Sequence, residues 1–225
     1  MMDRSESAGC RICQLESIAP PISGDYPEVI YQTVGGCGAA QWSWVRFTAS
    51  DRELWCGQFQ GKFLGAALSP VRSEALILTD LFLYRLDGKT GQLLEWMEGI
   101  NWSQVTATPA GDFLIADDYS ICRIESGLSD LTDLPLPVSL EGIEFGAWQN
   151  EFLTIRGTLF LSGGKQVELI LDSGDDSINL KNPLDIPPPI DARPIPSPIR
   201  RMMPLFLVLS LFLLIALLIW LLPDS

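Results

Sequence analysis

The chain has 225 residues and a formal net charge of −13, from 28 Asp and Glu against 15 Lys and Arg, and no His. Such an acidic chain is a poor binder of nucleic acid, whose phosphates need clustered Lys and Arg, and of a flat anionic lipid surface. Without His it lacks the commonest general base and the commonest metal ligand, which removes many enzyme classes at once.

Residues 1–25, which open "MMDRSESAGCRICQLES", carry charges and no apolar core of the length a secretory signal needs. With five Cys, an odd number, and no such signal, the expectation is reduced thiols in a cytosolic compartment. Cys10 and Cys13, in "CRIC", have the spacing at which two thiolates on one tight turn share a Zn²⁺. A closed structural site needs four ligands. Cys37 in "GGCGAA" is a third candidate, and a fourth would have to come from a second subunit. The expectation is no cofactor: these are incidental thiols on a flexible N-terminus set apart by the breaker-rich "APPISGDYP", with a shared Zn²⁺ or a redox pair as the alternative. The Gly-rich "TVGGCGAAQW" that follows has no Lys and no helical run behind it, so it does not read as a phosphate loop.

From residue 26 to 173 the chain shows no helical period. Short apolar and β-branched runs alternate with Gly, Pro, Asp and Ser turns, which predicts an all-β domain, either propeller-like blades or a β-sandwich. In "EALILTDLFLYRLDGKTGQLLEW" strands are predicted at 75–79, 81–86 and 92–96, with a turn at 87–91. Two internal offsets stand out. "WSWVRFTASDRELWCG" from Trp42 and "WSQVTATPAGDFLIAD" from Trp102 match at a shift of 60. Pro70 and Pro109 are 39 apart, and so are Phe113 and Phe152, each opening an apolar run. Trp42, Trp96, Trp102 and Trp148 fall in this region, either as core and blade packing or, where exposed, as a protein-interaction face.

The stretch "LILTDLFLYRLDGKTGQLLEW" resembles the quinoprotein-type β-propeller repeat, and "TATPAGDFLIA" resembles the turn of WD-type blades. The resemblance implies blades of about 40 residues with three or four strands each. The shared residues are turn chemistry, so it implies no catalytic residue.

"LILDSGDDS" contains Asp-Ser-Gly after an apolar strand, as in the aspartic-protease turn, but a second such turn is lacking and Asp175 stands where a small residue is wanted. A strand-ending acidic turn is the expectation. Residues 174–203 read as a Pro-rich, semi-rigid stalk. Leu205–Leu222 carries no charge, Gly or Pro over 18 residues, which as a helix spans about 27 Å, near the thickness of a hydrocarbon core. Residues 204–222 are therefore predicted to form a single transmembrane α-helix, followed by an exit tail at 223–225. Arg200 and Arg201 precede it, which by the positive-inside rule keeps the N-terminal domain cytosolic, and Trp220 would lie at the far interface. This resembles tail-anchored membrane proteins. The expected function is a tail-anchored protein displaying an acidic interaction or scaffold domain, with the lipid bilayer and unidentified proteins as partners. A hydrolase working without His, or a membrane-active effector or assembly subunit, is the alternative.

Overall fold

A computed structural model describes residues 12–22, 24–31, 41–49, 54–99, 101–160 and 164–182. The chain divides into two compact units, residues 1–182 and 183–225. The second lies outside the described residues, and with it the greater part of the predicted stalk and the whole predicted membrane helix.

The first unit contains sixteen strands and no helix among its described residues. In chain order these are β1 (Ile12–Ile18), β2 (Glu28–Tyr31), β3 (Trp42–Ala49), β4 (Leu54–Gln60), β5 (Phe63–Ser69), β6 (Glu74–Thr79), β7 (Phe82–Asp87) and β8 (Leu93–Glu98). They continue as β9 (Gln104–Ala107), β10 (Phe113–Ala116), β11 (Ile121–Ile124), β12 (Leu131–Leu134), β13 (Leu140–Gln149), β14 (Phe152–Leu159), β15 (Gln166–Asp172) and β16 (Ile178–Leu180). They form four successive four-stranded sheets, ordered β1-β3-β4-β2, β5-β6-β7-β8, β9-β10-β11-β12 and β13-β14-β15-β16. The first strand of each sheet lies against the first strand of the next: β1 by β5, β5 by β9, and β9 by β13. That is the arrangement of propeller blades rather than of two stacked sheets.

The 39-residue offset has a direct structural meaning. It brings Glu74, Phe113 and Phe152 into equivalence, and these open β6, β10 and β14, the second strand of the second, third and fourth sheets. The offset of 60 does not hold: Trp42 opens a second strand, whereas Trp102 precedes a first strand. The first sheet also departs from the meander, because β2 runs parallel to β4 at its outer edge.

Two boundaries differ from expectation. The stretch predicted as a flexible N-terminus contains β1, which pairs with β3 from Ile12↔Ala49 to Ile18↔Trp44. The stretch predicted as stalk contains β16, which pairs with β15. Neither strand alternates cleanly in polarity: β1 buries only Ile12 and β16 only Ile178.

Three apolar layers fill the spaces between the four sheets. Period-two alternation puts Val45, Phe47, Ala75, Ile77, Tyr84 and Leu86 in the first layer and Leu76, Leu78, Leu83, Phe113 and Ile115 in the second. Leu114, Ile121, Leu153, Ile155 and Leu169 belong to the third. The second and third sheets are therefore apolar on both faces, which is why "ALILT" and "FLIA" read as continuous apolar runs.

The outward faces of the first and fourth sheets are mixed, with charged pairs standing beside exposed Ile30 on β2 and Phe152 on β14. On β3, Arg46 alternates with buried Val45 and Phe47 and pairs with Glu16, and Gln58 donates to Glu28 at 2.6 Å. On β14, Arg156 alternates with buried Ile155 and pairs with Glu168 at 3.3 Å, and Lys181 reaches the same carboxylate at 2.8 Å. Both end faces thus present charged ladders, as the terminal repeats of an array do.

Candidate interaction surface

The first layer is where the sequence's aromatic residues converge. Tyr31 stacks on Phe59 with ring centroids 4.6 Å apart, and Phe47 stacks on Trp55 at 4.9 Å. Phe59 meets Tyr84 edge-on at 5.0 Å, Tyr84 meets Phe82 at 5.9 Å, and Phe82 meets Trp96 at 5.6 Å. Edge-to-face and offset contacts of this kind add to area burial. The row runs from the buried ring of Tyr31 across the seam to Trp96 on β8, which is 38% exposed. Gly57 makes the row possible: a Cβ there would lie 2.7–2.8 Å from the rings of Phe59, Phe47 and Tyr31.

The turn between β7 and β8 closes the outer part of the seam. Asp87 accepts hydrogen bonds from the backbone N–H of Lys89 at 2.8 Å and of Thr90 at 2.7 Å, and from the Thr90 hydroxyl at 3.0 Å. Burial works to raise the Asp87 pKa, but these donors outweigh it and hold the carboxyl below its usual range. Gly91, at φ +70°, lets the turn pass close to the Trp55 indole, and its carbonyl accepts the Tyr31 hydroxyl. A cleft of about 660 Å³ lies here, lined by Val29, Ile30, Trp55, Lys89 and Gly91 among others. Burial raises the phenol of Tyr31 to about 12, against a lowering contribution from Trp55. Burial likewise raises Tyr84 to about 12, partly offset by its hydrogen bond with the Gln60 backbone.

The four Trp residues singled out in the sequence separate. Trp102 is buried in the second layer, a packing residue rather than a surface one. Trp42 is half-buried on β3. Trp148 packs against the third layer, and its indole N–H donates to the Thr106 hydroxyl at 2.9 Å. Trp96 is the exposed one, beside Leu94 at 46% exposure.

Of the proposed metal pair, Cys13 is exposed on β1 and donates to the Thr48 carbonyl at 3.2 Å, while Cys10 and Cys37 lie outside the described residues. Among the described residues no three His, Cys, Asp or Glu side chains are grouped to hold a metal. Cys56 and Cys122 are buried. Burial raises the Cys56 thiol, with Glu28 adding to it, and burial together with the hydrogen bond to Asp133 pushes the Cys122 thiol far up. Thiols held neutral in this way are poor nucleophiles.

The Asp-Ser-Gly triplet forms the β15–β16 turn. Asp172 accepts from the Gly174 N–H and Asp175 from the Ser177 N–H, each at 2.9 Å. The Ser177 hydroxyl and backbone hold Asp175 below its usual pKa. Asp176 faces Arg123, which also approaches Asp112, itself paired with Arg72. This ladder ties the second, third and fourth sheets together. It was not visible in the sequence, where Arg72, Asp112, Arg123 and Asp176 share no motif.

Arg200, Arg201, Leu205, Trp220 and Leu222, the predicted anchor residues, lie outside the described residues. Among the described residues no helix is long and apolar enough to cross a membrane.

No family model and no curated protein matches this chain. Among solved structures, TolB from Acinetobacter baumannii is similar over 62% of this chain and 37% of its own length, at 19% identity and a TM-score of 0.47. A likeness of that size carries no argument about activity, and the propeller-like description stands on the strand order and sheet packing.

Proposed function

We propose that this chain is a membrane-tethered interaction protein, with an acidic, propeller-like domain displayed on the cytosolic side of a bilayer by a C-terminal tail anchor. The observation that carries the reading is the division at Asn182. A β unit with its own three apolar layers ends there, and a Pro-rich segment and an 18-residue uncharged apolar run follow in the sequence. The display reading also fits the surface. Every described arginine is already ion-paired within the domain, which leaves a net acidic exterior for partners to read.

The test is fractionation of the whole chain against a form lacking residues 204–225. The whole chain should pellet with membranes and resist carbonate extraction, and the shortened form should stay in the supernatant with its β circular-dichroism spectrum intact. Protease added from the cytosolic side should release the domain by cutting within residues 191–201. A shortened form that still pellets with membranes, or a domain protected from protease, would overturn the reading.

A further inference from the structure

We propose that the free edge of β8 is a docking strand that accepts an extended segment of a partner protein as a fifth strand of the second sheet. The segment carries an apolar residue opposite Trp96 and, two residues along, a Lys or Arg opposite Glu98. The proposal rests on the interaction reading above and names its surface and partner chemistry.

Each sheet has an outer-edge strand. That of the first sheet, β2, has four residues and follows Pro27; that of the third, β12, has four and precedes Pro135; that of the fourth, β16, has three. Short edges flanked by Pro are the usual protection against strand addition. β8 has six residues, LLEWME, with neither Pro nor Lys, and among the described residues it pairs only with β7.

The ladder tells which groups are free. Gly99 N–H donates to the Leu81 carbonyl, and the register continues as Phe82↔Glu98, Leu83↔Met97, Tyr84↔Trp96 and Arg85↔Glu95. Antiparallel pairs alternate between hydrogen-bonded and non-bonded. Met97 and Glu95 therefore bond to β7, and the N–H and C=O of Trp96 and Glu98 face outward. A bulge at Leu94 ends the regular stretch.

The side chains on this edge supply the specificity. The edge contact with Phe82 holds the Trp96 indole, an apolar anchor that is already ordered before anything binds. Glu98 is exposed and has no ion pair among the described residues, whereas Glu95 is already engaged by Arg85 and by the Leu128 N–H. A cation beside Glu98 completes the pairing. A second copy of this chain is disfavoured as the occupant, because each copy brings a net charge of −13.

The probe is a capped, labelled peptide in which Val and Lys alternate at every second residue with Thr between them. Its anisotropy is read against the full chain in detergent. Two further peptides are N-methylated, one on the Val and Lys amides and one on the Thr amides. Strand addition uses the amides of one edge only, so one methylated peptide should lose about tenfold or more in affinity and the other less than twofold. Which one loses reports parallel or antiparallel docking. Trp96→Ala should weaken binding of the parent peptide by about tenfold while the domain keeps its β circular-dichroism spectrum, the loss of the Phe82 contact lowering the thermal midpoint only modestly. Glu98→Gln, which leaves the apolar contact intact, should abolish the preference for Lys over Gln in the peptide.

Equal losses from both methylated peptides, or none from either, would overturn strand addition. Sedimentation showing a dimer of this chain that Trp96→Ala dissolves would overturn the assigned partner. If membrane cross-linking captures the same partners with wild type and Trp96→Ala, this proposal fails while the tethered interaction reading stands.

Discussion

The seam between the first and second sheets and the seam between the third and fourth do the same job with different materials. The third layer is built almost wholly of Leu, Ile and Val from clean alternation on β14 and β15, between two meanders of ordinary order. The first layer is aromatic, built around Tyr31, Phe47, Phe59 and Tyr84, and it joins a regular sheet to one whose outer strand, β2, runs parallel. Branched aliphatic side chains fill the third layer, where β14 and β15 alternate cleanly, whereas large flat rings fill the first, and Gly57 admits them.

The largest expected effect is at the centre of each layer. Phe59→Ala removes a ring that touches Tyr31, Phe47 and Tyr84, and it should cost about 4 kcal/mol in urea unfolding. Leu169→Ala in the third layer should cost about 3 kcal/mol. If the aliphatic truncation cost clearly more than the aromatic one, the aromatic seam would be peripheral to stability, and the contrast would fail.

A sharper contrast is available at two buried glycines. Gly57→Ala puts a methyl within 2.7–2.8 Å of the rings of Phe59, Phe47 and Tyr31, so the aromatic packing must shift, and it should cost about 3 kcal/mol. Gly157→Ala meets a single side chain, Leu140, from 3.0 Å at Cδ1, so a few tenths of an ångström of adjustment suffices, and it should cost about 1 kcal/mol or less. Thermal midpoints of the two variants measure the difference. Equal shifts would mean that the aromatic layer adapts as readily as the aliphatic one.

The aromatic seam should also carry an alkaline sensitivity that the aliphatic seam lacks. Tyr31 and Tyr84 have folded pKa values raised to about 12 by burial, above the unfolded value of 10.0. A raised acid pKa contributes stability that is complete below the unfolded value and is lost as pH climbs from there through the folded value. Unfolding followed by tyrosinate absorbance should therefore begin near pH 10 and steepen toward 12. Tyr84→Phe should flatten that dependence, at the expense of the Gln60 hydrogen bond. An unchanged pH profile in Tyr84→Phe would remove this phenol from the alkaline transition.

The smallest effect belongs to the end faces. Arg156→Ala breaks an exposed pair with Glu168 and should change stability by about 0.5 kcal/mol or less. Its consequence should be colloidal, because the ladder keeps the fourth sheet's outward face from joining another sheet edge or face. Light scattering at high protein concentration tests this. A loss of several kcal/mol would instead make the face part of the core.

Much of the middle of the fold was legible as a sequence. "DGKTG" is a turn because Asp87 satisfies the backbone N–H groups that follow it, a local matter that needs no tertiary information. The 39-residue offset was legible because equivalent strands repeat the same turn chemistry at Pro70 and Pro109. β1 escaped notice because "ICQLESI" places its aliphatic residues at 12, 15 and 18, across a bulge between Ile12 and Gln14, which gives no period-two signal. β2 escaped because its partner β4 is parallel and lies more than twenty residues downstream, so no hairpin signal marks it.

Local patterning by itself determined that this chain is all-β over its middle, where its turns fall, and that an acidic domain is followed by a Pro-rich run and a long apolar one. Only the tertiary structure decided which sheet faces meet, which of the tryptophans is spent on packing and which is left at a free edge, and how Arg72, Asp112, Arg123 and Asp176 find one another. The physical reason is range. Turn geometry and alternation are set by residues a few positions apart, whereas burial and ion pairing depend on strands tens of residues apart in the chain, whose identity at any one position does not say which face of which sheet it will occupy.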